Sequence, residues 1–318
     1  MIVNSILDIK DDFDLYLFDA YGVFWDGRKL IDATLEVMEN LVKSGKTVCI
    51  LTNMPKSSVE AEKHYESEGL TKGKYYNFMF TSGQVMLDNI QNNPKFKDKK
   101  IFNLWPIYNP NMLNNTGCVE VKNLAEADII YVDVPIFMEN EVNEFITKYN
   151  FSKEDFYLYK GVHLCLNEKV FDVLVENIKN VNDRATVINA CNDREIKFDD
   201  IFAKGPAVVN ERFEKQGFKT LFFGKPDKNT YECIFNDLKH KGIEVNKNRT
   251  IMIGDTLEND ILGAKNSNIK NLLVFTENSV TYNRIKKSLN IQCSVNDLLE
   301  KCKDLEKDLK VNVDYYLI

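Results

Sequence analysis

The sequence has 318 residues, of which 44% are apolar and 28% are charged, with a formal net charge of −7 at pH 7. This composition is typical of a globular protein that is long enough for two domains. The acidic balance argues against nucleic acid and anionic membranes as partners, and no segment approaches the roughly 20 apolar residues of a membrane-spanning helix.

Short apolar runs recur along the chain, and polar or glycine residues end most of them. Continuous apolar runs are typical of strands covered on both faces, as in a parallel sheet. Helical patterns follow several runs, for example Ala33–Lys43. The runs lie at 15–18, 47–51, 78–80, 220–223, 250–253 and 271–275. Their alternation with helices predicts an α/β fold, a Rossmann-like doubly wound parallel sheet.

The middle of the chain has a different character. It is richer in Asn and acidic residues, and it contains its own strand candidates at 128–132 and 186–189 and its own helix candidates at 138–149 and 171–180. This pattern predicts an inserted α+β domain. The predicted division is a core of residues 1–83 plus 205–318, with an insert of residues 84–204.

Polar side chains follow the predicted core strands. They are Asp19, Thr52, Asn53, Lys225 and Asp255. Because ligands collect beyond the carboxyl ends of parallel strands, we expect these side chains to share one crevice. Two carboxylates, a hydroxyl and an ammonium group suit a metal ion together with an anion, and hard oxygen ligands select Mg²⁺.

Four short motifs in this order resemble those of the haloacid dehalogenase-like (HAD) superfamily. They are DAYGV at 19–23, LTN at 51–53, GKP at 224–226 and GDTLEND at 254–260. The long insert between the second and third motifs, with TSG at 81–83, is similar to the NagD-like branch, subclass IIA. The resemblance implies that the insert is a type 2 cap domain and that the protein is a phosphatase acting on a small phosphorylated substrate.

The resemblance also implies a role for each acidic motif residue. Asp19 corresponds to the nucleophile, which forms an aspartyl-phosphate. Mg²⁺ is expected between Asp19, the backbone carbonyl of Tyr21 and Asp255. Asp260 is expected to hold Lys225 or a metal-bound water, with a plain helix-surface Asp as the alternative.

The remaining motif residues are implied to bind the transferred group. Thr52 and the amide of Asn53 correspond to hydrogen-bond donors for the phosphoryl oxygens. Lys225 would offset the charge that spreads over those oxygens. In the insert, Arg194 could contact an anionic substrate or form a structural ion pair with Asp193 or Glu195.

Tyr21 breaks the family pattern. Phosphatases of the superfamily usually have an acid–base Asp two residues after the nucleophile, and a phenol with a pKa of about 10 is a poor substitute at neutral pH. Three functions therefore stay open: a phosphatase that is slow or favours good leaving groups, a haloacid dehalogenase, and a phosphate-ligand binding protein. True dehalogenases have Tyr at this position and need no metal, but their cap is inserted earlier in the chain.

The sequence also allows weaker expectations about location and assembly. Seven Cys residues without a CxxC pair fit a reduced compartment, and acidic residues interrupt the N-terminal segment where a signal peptide would be apolar. Both features predict a cytoplasmic protein. The family resemblance allows a homodimer through the cap, although no sequence feature indicates it.

Overall fold

The computed structural model describes residues 1–114, 116–198, 201–289 and 294–318. The chain divides into two compact units. The first unit contains Met1–Thr52, Ser58–Thr81 and Lys225–Ile318, and the second contains Asn53–Ser57 and Ser82–Gly224. Each unit has its own parallel sheet.

The described residues form seventeen strands. In chain order they are β1 (Ile2–Val3), β2 (Leu15–Phe18), β3 (Thr47–Thr52), β4 (Phe78–Thr81), β5 (Lys100–Asn103), β6 (Val119–Glu120), β7 (Ile129–Val132), β8 (Ile136–Phe137), β9 (Phe156–Tyr159), β10 (Val162–Cys165), β11 (Thr186–Asn189), β12 (Glu195–Phe198), β13 (Ile201–Lys204), β14 (Thr220–Phe222), β15 (Thr250–Gly254), β16 (Lys270–Val274) and β17 (Tyr315–Leu317).

The described residues also form ten α-helices. They are α1 (Asp32–Lys43), α2 (Ser58–Ser67), α3 (Ser82–Asn92), α4 (Glu139–Tyr149), α5 (Lys169–Val181), α6 (Pro206–Lys215), α7 (Lys228–His240), α8 (Leu262–Ser267), α9 (Val280–Leu289) and α10 (Val295–Asp308). A π-helical turn, Leu257–Ile261, directly precedes α8. None of these described helices is long and apolar enough to cross a membrane.

The first unit is built on a sheet of seven described strands in the order β1-β17-β16-β15-β2-β3-β4. All neighbouring strands in it are parallel. All four residues of β2, Leu-Tyr-Leu-Phe, are buried, as expected for a central strand that is covered on both faces. The predicted α/β fold with a parallel sheet is therefore confirmed.

Helices cover this sheet with apolar side chains. Leu15 and Leu17 of β2 share a buried cluster with Ile234 and Phe235 of α7. Each such side chain contributes roughly 1.5–3 kcal/mol through its removal from water. This packing fixes the strand, and with it the position of the residues that follow its carboxyl end.

The second unit contains a parallel sheet of five described strands in the order β14-β11-β7-β5-β6. Two smaller antiparallel sheets accompany it, β8-β10-β9 and β12-β13. One of its core clusters is rich in aromatic side chains, and in it the Trp105 and Phe137 rings meet edge to face and Phe171 packs beside both. The second unit thus has its own core.

The strand at 220–222 corrects one expectation. The sequence predicts it as a core strand, because it precedes the GKP motif at 224–226. The structure pairs it instead with β11, with Val187 opposite Thr220. An apolar run before a motif has the same composition whichever sheet it joins, so only the pairing partner reveals its place.

The limits of the second unit follow from this pairing. The predicted insert of residues 84–204 lies within the second unit, but that unit also includes 53–57, 82–83 and 205–224. Both α6 and β14 lie in this last stretch, and α6 packs in the same core as β11 through Val208, Val209 and Phe213. The first unit accordingly resumes at Lys225.

Candidate active site

Asp19 lies directly after β2, at the carboxyl end of a central strand of the first sheet. Its backbone N–H donates to the carbonyl of Ile253 in β15 at 2.8 Å, so the strand pairing extends to this residue. Its side chain is largely buried, and one carboxylate oxygen lies 2.6 Å from Nζ of Lys225. The fold therefore presents a buried carboxylate at the edge where ligands of such sheets bind.

Lys225 lies between two carboxylates. Its Nζ is 2.6 Å from Oδ1 of Asp260 as well as 2.6 Å from Oδ1 of Asp19. Burial disfavours the charged form, but Asp19 and Asp260 outweigh it and raise the pKa of Lys225 above its ordinary value. The residue is therefore a buried ammonium ion at neutral pH.

Asp260 lies in the π-helical turn after β15 and has both oxygens engaged. Oδ1 accepts from Lys225, and Oδ2 accepts from the backbone N–H of Asp255 at 3.1 Å, the N–H of Thr256 at 3.0 Å and the hydroxyl of Thr256 at 2.7 Å. A Cβ atom on Gly254 would lie 2.1 Å from Cγ of Asp260, so this close packing needs a glycine there. Asp260 is thus a support for Lys225 and for the loop that carries Asp255.

Asp255 is a buried carboxyl group in an anionic neighbourhood. Burial, with the charges of Asp19 and Asp260, raises the pKa of Asp255 well above its usual range. Its Oδ2 accepts from the backbone N–H of Val280 at 2.6 Å. One carboxylate oxygen from each of Asp19, Asp255 and Asp260 lies within 4.8 Å of the others.

These donors suit a hard divalent cation. The carboxylates offer only oxygen ligands, which Mg²⁺ prefers. Both oxygens of Asp260 are already engaged, Oδ1 with Lys225 and Oδ2 with Thr256 and the N–H of Asp255. A cation would also relieve the repulsion that raises the pKa of Asp255.

Tyr21 and Gly22 form the turn that follows Asp19. The N–H of Gly22 donates to the carbonyl of Trp25 at 2.9 Å. Gly22 has a φ of +73°, and a Cβ atom there would lie 2.1 Å from Oδ2 of Asp255. The turn that contains the Tyr21 carbonyl therefore packs directly against Asp255.

Thr52 ends β3, the strand beside β2, and Asn53 follows it. Thr52 is buried and is the last residue of β3. Asn53 is grouped with the second unit, and its side-chain amide donates to Oδ1 of Asp193 at 3.3 Å.

Arg194 also belongs to the second unit and forms an ion pair with Glu211 rather than with the partners expected from the sequence, Asp193 or Glu195. The substrate contact predicted for Arg194 stays a prediction.

The structure thus brings four of the predicted residues into direct contact or close proximity: Asp19, Lys225, Asp255 and Asp260. Sequence reasoning missed two supporting residues here. The spacing of Thr256 four residues before Asp260 is a local signal for its hydroxyl bond, whereas the N–H of Val280 is a backbone group with no sequence signal.

Two family models match the parts of the chain that carry this cluster. A family model described as haloacid dehalogenase-like hydrolase matches residues 16–117, and a second, described as HAD-hydrolase-like, matches residues 222–300. These two ranges include Asp19, Lys225, Asp255 and Asp260.

A curated relative and two solved structures are similar over most of the chain. Phosphoglycolate phosphatase 1A, chloroplastic, of Arabidopsis thaliana is 24% identical over 280 residues, which are 84% of this chain and 69% of the relative. A haloacid dehalogenase-like family hydrolase from Brucella suis has a TM-score of 0.68 at 18% identity, over 86% of this chain and 89% of that chain. A p-nitrophenyl phosphatase from Archaeoglobus fulgidus has a TM-score of 0.63 at 16% identity, over 96% of each chain.

Proposed function

Because the chain belongs to the haloacid dehalogenase-like hydrolase superfamily, as its sequence motifs predict, we propose that it is a Mg²⁺-dependent phosphatase that uses Asp19 as its nucleophile. The observation that carries this proposal is the placement of Lys225, whose Nζ lies 2.6 Å from Asp19 in a cluster with Asp255 and Asp260. A buried ammonium beside a buried carboxylate can attract a phosphate group to that carboxylate.

The proposed metal site uses Asp19, Asp255 and the backbone carbonyl of Tyr21. When bound there, Mg²⁺ would neutralise charge on the phosphoryl oxygens and allow an anionic nucleophile to approach an anionic substrate. The buried Asp255, with its raised pKa and with carboxylate oxygens of Asp19 and Asp260 within 4.8 Å, supports this donor set.

The chain's own residues would carry out the displacement. An oxygen of Asp19 attacks phosphorus, the bond from phosphorus to the leaving-group oxygen breaks, and an aspartyl-phosphate forms. Lys225, the hydroxyl of Thr52 and the amide of Asn53 would hold the equatorial oxygens during transfer. Water then cleaves the aspartyl-phosphate, which releases inorganic phosphate and regenerates Asp19.

Tyr21, in place of an acid–base Asp, affects which leaving groups the protein can expel. The phenol cannot readily protonate a leaving group at neutral pH, and the loss of an acid–base group commonly costs on the order of 10²–10⁴ in rate. We therefore propose that aryl phosphates, whose leaving groups depart without a proton, react faster than alkyl phosphates. The relatives named for p-nitrophenyl phosphate and phosphoglycolate suggest one test substrate of each kind.

We further propose that the second unit is the type 2 cap of a NagD-like enzyme and that it selects the substrate. Its position in the chain, between the second and third motifs, supports this role. Arg194 is a candidate contact for an anionic substrate, in competition with its ion pair to Glu211. The homodimer and the cytoplasmic location stay predictions.

A substrate panel with and without Mg²⁺ tests the proposal. We expect wild type to hydrolyse p-nitrophenyl phosphate with Mg²⁺, and chelation to abolish the activity. Asp19→Asn should lose on the order of 10⁴-fold or more in kcat, because the nucleophile is gone. Asp12→Asn is the control, because it changes an exposed carboxylate on the other side of β2, the strand that Asp19 follows. It should retain wild-type activity.

Two other outcomes would support the competing functions. Chloride release from a 2-haloacid without Mg²⁺ would indicate a dehalogenase, for which Tyr21 is the favouring observation. Saturable binding of inorganic phosphate without turnover of any ester would indicate a phosphate-ligand binding protein. Either result would overturn the proposed phosphatase.

A further inference from the structure

The segment 53–57 follows strand β3 in the chain but is grouped with the second unit. It directly follows Thr52, the last residue of β3, and precedes Ser58, the first residue of α2. Both neighbours belong to the first unit, whereas the segment itself belongs to the second. We call residues 53–57 the connecting segment. The backbone that continues from Thr52 is therefore grouped with the second unit.

Backbone contacts hold the middle of the connecting segment tightly. The carbonyl of Met54 accepts from the hydroxyl of Ser82 at 3.1 Å and from the N–H of Gly83 at 3.2 Å. A Cβ atom on Gly83 would lie 2.4 Å from the carbonyl oxygen of Lys56. The first turn of α3 thus packs against the segment with no room for a side chain.

The next carbonyl, that of Pro55, is bound by a buried side chain. The Nδ2 atom of Asn109 donates to it at 2.6 Å. The same nitrogen lies 3.1 Å from Oδ1 and 3.0 Å from Oδ2 of Asp133. Asn109 and Asp133 are both buried, so this amide links the connecting segment to the end of β7 away from water.

The Pro55 carbonyl determines which end of the Asn109 amide faces it, and the ionised form of Asp133 favours the same orientation. A carboxylate accepts hydrogen bonds only, and so does a backbone carbonyl. Both neighbours of the amide therefore require its NH₂ group, and a reversed amide would place two acceptors against each other. The N–H of Val134 donates to Oδ1 of Asp133 at 2.7 Å and fixes the carboxyl group in turn.

Burying the Asp133 carboxyl group costs free energy that a purely structural link between Asn109 and β7 would not require. Burial raises the pKa of Asp133 to about 7, although the Val134 N–H, Asn109 and the charge of Lys56 favour the ionised form. The other ionisable groups near the carboxyl are Tyr131 and Cys191, both buried. A neutral acceptor at the end of β7 would hold Asn109 without burying a carboxyl group.

We propose that Asn109 and Asp133 are positioning residues that hold the connecting segment so that Thr52 and the amide of Asn53 keep the geometry needed to bind a phosphoryl group. The inference rests on the proposed function, because that function assigns phosphoryl binding to Thr52 and Asn53. Neither Asn109 nor Asp133 touches the substrate in this scheme. Their effect is transmitted through the Pro55 carbonyl.

The first test measures phosphate affinity. Asn109→Ala removes the bond to Pro55, and we expect the inhibition constant for inorganic phosphate and the KM for p-nitrophenyl phosphate to rise about tenfold, with a smaller fall in kcat. Asn182→Ala is the matched control. Asn182 is also a buried amide of the second unit, and it bonds two backbone carbonyls, those of Leu124 at 2.9 Å and Ala127 at 2.8 Å. Asn182→Ala should lower Tm about as much as Asn109→Ala, and it should leave the inhibition constant for phosphate and the KM for p-nitrophenyl phosphate unchanged.

A double variant separates positioning from stability. Asn109→Asp with Asp133→Asn exchanges the two side chains, which restores a donor–acceptor pair between positions 109 and 133. It still leaves a carboxylate opposite the Pro55 carbonyl. We expect Tm to recover relative to Asn109→Asp alone, while the inhibition constant for phosphate stays raised. Recovery of both quantities would overturn the positioning role.

Hydrogen exchange of residues 53–57 supplies a readout that does not need activity. We expect faster exchange in Asn109→Ala than in Asn182→Ala. If wild type is active and both variants show equal phosphate constants and equal exchange, the positioning inference is overturned and the proposed function stands. If wild type neither hydrolyses esters nor binds phosphate, the proposed function fails and with it the phosphoryl role, while the exchange rates still report whether Asn109 holds the segment.

Discussion

The two parallel sheets of this protein carry a buried aspartate at the same topological position. Asp255 follows β15 in the first unit, and Asp133 follows β7 in the second. In the first unit the carboxylates crowd together around the buried ammonium of Lys225. In the second unit, by contrast, the hydrogen bonds to Asp133 come from neutral groups, the amide of Asn109 and a backbone N–H.

The difference shows how the number and sign of the charges at the end of a strand determine which groups can bind there. Three carboxylates and one ammonium leave a net negative pocket, which favours a cation and, beside Lys225, a phosphoryl group. A single carboxyl group that accepts hydrogen bonds from neutral donors does not create a comparable excess of negative charge. It can orient a neighbouring amide, but it titrates near neutral pH because burial opposes its charge. Changes at Lys225, at Asp133 and at the turn beside Asp255 test this contrast.

Lys225→Met should give the largest effect, because it removes the compensating charge from the first unit. Two carboxylates would be left without their ammonium partner, a situation that costs about 3–5 kcal/mol in unfolding free energy. Turnover should fall on the order of 10²–10³-fold, since a charge that stabilises the transition state is lost. Urea unfolding and kcat for p-nitrophenyl phosphate measure the two losses.

The control for Lys225 is a lysine whose ion pair is exposed. Lys241 pairs with Asp237 on α7, where both side chains are more than 40% exposed. Such a pair contributes roughly 0–1 kcal/mol, so Lys241→Met should change neither stability nor turnover strongly. Equal losses in the two variants would contradict a special role for the buried ammonium.

Asp133→Asn should reveal the buried carboxyl group of the second unit through the pH dependence of the unfolding free energy. Its pKa rises from the ordinary 3.8 to about 7 in the folded protein, so the folded state binds the proton more tightly than the unfolded state. The stability from this group is full below about pH 4 and is lost as pH rises through 7. Relative to Asp133→Asn, wild type should lose up to about 4 kcal/mol across this window.

Unfolding free energies of both proteins between pH 4 and pH 8 measure the difference. Asp183→Asn, which changes an exposed carboxylate of the same unit, should follow the pH trend of wild type. A constant difference between wild type and Asp133→Asn at all pH values would show that the carboxyl group does not titrate in this range.

The sequence is sufficient to predict the central strands and the site candidates of the first unit. In the second unit it predicts four elements that the structure confirms, β7, β11, α4 and α5, but not the side-chain contacts between them. Continuous apolar runs such as 15–18 and 250–253 predict the central strands, and the residues after them predict Asp19 and Asp255 as site candidates. The signal is strong because strand, turn and chemistry are adjacent in the chain. The run at 220–223 shows the limit, since its composition does not reveal that it pairs with β11.

Contacts between distant residues account for the rest. Asn109 and Asp133 are 24 positions apart, and Asn109 and Pro55 are 54 apart, so neither bond has a local spacing pattern. Asp133 follows an apolar run as Asp19 does, yet the sequence alone does not tell which of the two has an ammonium partner. The fold decides this by bringing Lys225 to Asp19 and Asp260.

Gly22→Ala should have the smallest of these effects on stability but a selective effect on the site. Gly22 has a φ of +73°, and an added Cβ atom would lie 2.1 Å from Oδ2 of Asp255. The left-handed backbone costs an L-residue about 1–2 kcal/mol, and the clash must also displace either the turn or Asp255. We expect kcat to fall about tenfold or more, because a small displacement of catalytic groups is enough for such a loss.

Gly45→Ala separates the backbone cost from the clash. Gly45 has a φ of +77° and no atom within 4 Å of an added Cβ, so it has the same strain without a neighbour. Gly45→Ala should lose only the backbone cost in unfolding free energy, and Gly22→Ala should lose more because of the added clash. Only Gly22→Ala should need more Mg²⁺ to reach half-maximal activity. If Gly22→Ala keeps wild-type kcat and Mg²⁺ dependence, the turn after Asp19 does not fix Asp255, and the crowded site of the first unit tolerates displacement as readily as an ordinary surface turn.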